Sequence, residues 1–161
     1  MKPVIGSLML LLIFLMVLHS FWKWSRQFPP AVDKTPAGVE GGLIVIVALM
    51  AAAVLFNAAG FGLMVSAVMG AVPEGFWFTT GIPGILSFAG FVWAMMRLLS
   101  GRTPSVRLEA SLGCLASGPA AEAWMLQAGT GDMMRLIVSL AFAAGVVLYL
   151  YMAPRSKHTY G

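Results

Sequence analysis

Residues 106–127 read VRLEASLGCLASGPAAEAWMLQ, and whether this stretch crosses a membrane decides the fold. It holds Glu109 and Glu122, and Gly118-Pro119 interrupts it midway. The surrounding chain is plainer. Of 161 residues, 60% are hydrophobic and 10% charged, against roughly 25% charged in soluble domains. The mean hydropathy is +0.89. So little polar surface points to a bilayer as solvent. A span needs about 20 mostly apolar residues to cross a core of ~30 Å. Segments 4–22, 42–72, 76–99 and 134–152 meet that need, and 106–127 is the weakest of five. The first is read as a retained helix, because no small-x-small cleavage site follows it. In the third, "GIPG" (81–84) breaks the pattern and Pro83 opens or kinks the helix. Pro154 stops the fifth.

Charge supports the weak segment. Lys23, Arg26 and Lys34 fall in one loop, Arg97, Arg102 and Arg107 in another, and Arg155 and Lys157 in the tail. With five spans these eight of ten basic residues share one side, leaving Lys2 and Arg135 on the other with Glu74, Glu122 and Asp132. The rule that cytoplasmic loops are rich in Lys and Arg then puts the N-terminus outside and the C-terminus in the cytoplasm. Four spans would split the cluster. The expectation is an all-α, polytopic bundle of five transmembrane helices in a bacterial inner membrane. Residues 1–35 form an anchor helix and linker, and 36–161 a four-helix domain.

"HSFWKWSRQFPP" (19–30) marks the exit of the first helix, with Trp22, Lys23, Trp24 and Arg26 as the membrane-interface anchor. Rings mixed with cations also suit nucleic acid. Here the cations are scattered over short loops and make no continuous phosphate-tracking groove, so no nucleic-acid partner is expected.

The polar residues inside spans are few. Asn57, Glu122, Asp132 and Arg135 form a candidate intramembrane polar cluster. Glu122 and Arg135 lie at matched depth across the 128–129 turn, and Asp132 stands three residues before Arg135. The expected arrangement is a structural ion-pair group, with a proton- or cation-handling site as the alternative. Glu109 lies close enough to the interface to snorkel. Ala58, Gly62, Ser66 and Gly70 recur every four residues and form a candidate helix-packing or partner face. Lone Cys114 forms no intrachain disulfide, and His19 and His158 are too few and too distant for a haem pair. Twelve dispersed methionines read as core filler rather than copper ligands. Hydrolase, zincin and P-loop motifs are absent from the sequence, and no cofactor or metal is expected.

Two stretches carry a resemblance. "PAGVEGGLIVI" (36–46) is similar to the P-x-G-I-G-G-W-L opening of a small bacterial membrane family catalogued as domain of unknown function 2569. "APRSKHTYG" (153–161) resembles that family's closing S-K-R-V-K-A-T-F, with Arg155, Lys157, Thr159 and Tyr160 at matching positions. Glu122-Ala123-Trp124 resembles the acidic-Ala-Trp end of its third helix. The chain departs from the pattern at Glu40, at Leu43 in place of tryptophan, and in its additional helix 4–22. The resemblance implies a four-helix unit over 36–160 with a cytoplasmic C-terminus, and no activity. The function expected from all this is a non-catalytic accessory or assembly subunit, bound to other integral membrane subunits within the lipid bilayer. A small oligomeric transporter or channel is the alternative.

Overall fold

A computed structural model describes residues 2–68 and 72–161, without the side chains of 2–10, 67 and 68. The regular structure of the described residues is all helical, with no strand among them. In chain order they form α1 (Lys2–Ser25), α2 (Gly42–Val68), α3 (Ile82–Ser100), α4 (Ser105–Leu115), α5 (Ala121–Gln127), α6 (Met133–Met152) and α7 (Pro154–Tyr160). Three helical stretches are long and apolar enough to cross a membrane: Gly42–Ser66, Trp77–Ser100 and Met133–Met152.

Both mid-segment prolines are accommodated in wide turns. A π-helical turn, Trp77–Gly81, runs directly into α3, and this wider turn makes room for the ring of Pro83 two residues on. The doubtful stretch is one rod. A second π turn, Ala116–Ala120, contains Pro119 and joins α4 to α5 with helical dihedrals on both flanks. Widening the turn relieves the clash a proline ring makes with the preceding turn, so the helix carries on from Ser105 to Gln127. Pro154 ends α6 as expected, but a further helix, α7, follows it.

Packing is concentrated at one end. Leu43, Val47 and Met50 of α2 are fully buried, as are Ala94, Leu98 and Leu99 of α3. Val106 and Cys114 of α4, Leu150 of α6 and Tyr160 of α7 complete that core. The α3–α4 crossing is close because glycines face each other. A Cβ at Gly113 would stand 3.1 Å from the Gly90 carbonyl oxygen, and one at Gly90 would stand 3.2 Å from that of Gly113. The small residues that bring backbones together are therefore on α3 and α4. The stripe on α2 does not pack within the chain: Ala58, Gly62 and Ser66 are exposed, a Cβ at Gly62 would meet nothing within 4 Å, and Gly70 lies outside the described residues. Within this chain Ala58 and Gly62 make no close helix contact and instead border a gap that separates α2 from α3.

The three basic segments meet at the packed end. Arg102 donates to the carbonyls of Ser25 (2.9 Å) and Phe28 (3.2 Å), and Arg107 donates to that of Gly161. The Ala31 and Val32 amides donate to Thr159 and His158 of α7 at 3.1 and 3.0 Å. Glu40 receives Arg26 at 2.8 Å and Arg155 at 3.7 Å. Tyr160 Oη donates to the Leu98 carbonyl at 2.8 Å, satisfying one of the last carbonyls of α3. Mutual bonding makes loop 26–41, turn 101–104 and α7 one polar cap.

Candidate functional site

Away from that cap, α2 and α6 separate. They touch where a Cβ on Gly42 would stand 2.6 Å from Tyr149 Cζ. Beyond this contact a crevice opens, holding two cavities of about 410 and 520 Å³. The first is apolar, with Leu49 and Ala53 on one wall, Val138 and Phe142 on the other, and Phe91 of α3 between them. The second continues toward the far end past Phe56, Asn57 and Met64 of α2 and Thr80. Ala53, Glu122 and Arg135 line both, so a carboxylate and a guanidinium stand where the two join.

The π turn places Glu122. At Gly118 a Cβ would lie 3.4 Å from that of Ser139, so the turn packs against α6 and sets α5, with Glu122 in its first turn, beside the crevice. Oε2 of Glu122 is buried without a hydrogen-bond partner. Glu122 and Arg135 do not pair: the ion pairs among the described residues are Arg26–Glu40, Arg155–Glu40 and Arg97–Glu109. This corrects the expected Glu122–Arg135 contact. Asp132 is redirected as well, because its carboxylate accepts the Met134 amide at 3.0 Å and caps α6. Sequence reasoning matched the depths of Glu122 and Arg135, but depth along an axis does not determine which way two side chains turn.

Asn57 shares the crevice with them, and its amide donates to the Ala53 carbonyl of its own helix at 2.9 Å rather than to a neighbour. On its other side a cavity of about 320 Å³, bordered by Ala58, Gly62 and Phe88, parts α2 from α3. The distal half of α2 is thus loosely packed on the bundle, with Phe56 79% and Leu63 73% exposed.

The anchor residues divide. Trp24 packs on the core, together with nearby Phe21. Arg26 lies 3.9 Å from the Trp22 ring centroid while paired with Glu40, and Lys23 is exposed. Glu109 does more than snorkel. It takes both Nε and Nη2 of Arg97 and ties α4 to α3. Only the spacing across the 101–104 turn hinted at that pair. Glu40, which breaks the glycine pattern of the resembled family, is the acceptor between Arg26 and Arg155.

The fold defines an all-helical protein with three helices able to cross a membrane and a crevice between two of them. Comparison with protein-family models, with curated proteins and with solved structures finds no match.

Proposed function

We propose that this chain is a five-span bacterial inner-membrane protein acting as a non-catalytic accessory or assembly subunit of a larger membrane complex. The observation that carries this reading is the distal half of α2. Its small residues Ala58, Gly62 and Ser66 are exposed, and Ala58 and Gly62 border the gap that separates α2 from α3. Small residues let a second helix approach closely in lipid, where burying apolar area no longer drives association. At the opposite end the cations bind carbonyls and carboxylates of the same chain, which supports a structural rather than chemical role for that cap.

The five-span topology belongs to this reading. Its support is the rod Ser105–Gln127 together with the meeting of loop 26–41, turn 101–104 and α7 at one end. The family resemblance is part of the same proposal, since the two motif stretches adjoin: Gly38 N–H donates to Thr159 Oγ1 at 2.9 Å, and Arg155 to the Ala37 carbonyl at 3.2 Å.

Mild-detergent purification of the full chain, with mass spectrometry of co-migrating proteins, tests the subunit role. Stoichiometric membrane proteins that Gly62→Leu displaces are the expected result, and a homogeneous preparation of this chain alone counts against it. A small oligomeric transporter or channel is the second reading, favoured by Asn57, Glu122 and Arg135 on one crevice. Proteoliposome flux that Glu122→Gln abolishes would replace the first reading with the second.

A further inference from the structure

The α2–α6 crevice bears a carboxylate and a guanidinium that line the same cavities without pairing, at the head of an apolar channel. No hydrogen bond among the described residues engages the side chain of Arg135, and Oε2 of Glu122 has no donor. A carboxylate oxygen buried without a donor is costly unless something pairs it, and Arg135 stands exposed beside it. Two opposite charges left apart fit a ligand that carries both.

We propose that the crevice is a binding site for a zwitterionic aminophospholipid, its primary ammonium on Glu122, its phosphate on Arg135 and an acyl chain along Leu49, Phe91, Val138 and Phe142. The geometry favours a lipid over a transmembrane helix. A helix needs a groove running the length of the bundle, and this one is shut where Tyr149 meets Gly42. Volumes of about 410 and 520 Å³ lie in the range of small-molecule sites. Depth agrees too. Arg135 is two residues into α6, about 3 Å along its axis, and Glu122 five residues from the end of α5, about 7.5 Å. Both charges thus lie near the helix ends, where a headgroup sits, and the apolar cavity runs inward from them. The proposal goes beyond the subunit reading and does not depend on it.

Native mass spectrometry of the full chain in nanodiscs, with matched acyl chains, tests the headgroup. Phosphatidylethanolamine should be retained about tenfold more than phosphatidylcholine, which has a cation but no N–H donor, and than phosphatidylglycerol, which has no cation. Glu122→Gln should abolish the preference for phosphatidylethanolamine over phosphatidylglycerol. Arg135→Gln should weaken both, and Ala53→Leu, which fills the channel, should reduce all three. Equal retention of the three lipids by the wild-type chain overturns the proposal even if every variant fails to fold. A preference that survives Glu122→Gln also overturns it. So does a second copy of the chain held in place of lipid, which assigns the crevice to a self-contact.

Discussion

Tyr160 is fully buried eight residues beyond the end of α6, with its hydroxyl on the Leu98 carbonyl. Tyr160→Phe keeps the ring and strands that carbonyl. The expected loss is about 1–3 kcal/mol of stability, read from denaturant unfolding in detergent. Burial also pushes the Tyr160 hydroxyl above its ordinary value of 10.0. The unfolded chain therefore releases this proton at a lower pH than the folded one. The stabilising contribution is whole below about pH 10 and is lost as pH rises toward the folded value. The gap between wild type and Tyr160→Phe should narrow from pH 9 to pH 11, and a constant gap would mean the ring stays buried without this linkage. A second pair lies nearby. Arg97 and Glu109 are about one-third exposed, so a double-mutant cycle on them should return a small favourable coupling.

Between helices, α2 and the α3–α4 crossing make opposite predictions for the same type of change. Gly113→Leu forces a side chain against the Gly90 carbonyl and Ala94, and should cost about 1–3 kcal/mol or prevent folding. Gly62→Leu meets open space and should leave the isolated chain as stable as wild type. Its effect belongs to assembly with other subunits. A thermal melt of both variants in one detergent separates them. Equal destabilisation would mean that α2 packs against its own bundle in the membrane, and the partner face would lose its support.

For the molecule as a whole, the polar cap and the charge distribution make one prediction. The eight basic residues of loop 23–40, the 97–107 region and the tail come to one end, and Arg135 lies toward the other. A cytoplasm-active reporter fused after Gly161 should be bright and a periplasm-active one silent, with the reverse for fusions ahead of Lys2. Two reporters agreeing on the same side would remove the five-span topology. Deleting 154–161 should loosen the cap, because it takes away the partners of Ala31, Val32, Gly38 and Glu40 together.

What the sequence alone determined is what depends on composition and period: helix as the regular structure, the apolar lengths and the stop at Pro154. Each follows from residues close in the chain. The charge count also kept 106–127 as a helical segment despite Gly118-Pro119, although the π turn that makes it one rod is visible only in three dimensions. Rotation about the helix axes was decided by tertiary structure. Which small residues meet depends on how whole helices turn to fill a core, so Gly90 and Gly113 touch while Ala58 and Gly62 are left exposed beside a gap. The basic tail reads as solvated charge, yet Thr159 and Tyr160 are its buried face. Seven residues are too few to be helical by propensity, and α7 holds because α3, loop 26–41 and Arg107 supply its bonds. The crevice is likewise a property of the fold: α2 and α6 are distant in the chain, and the Glu122 carboxylate lacks a donor only because of where the π turn aims it.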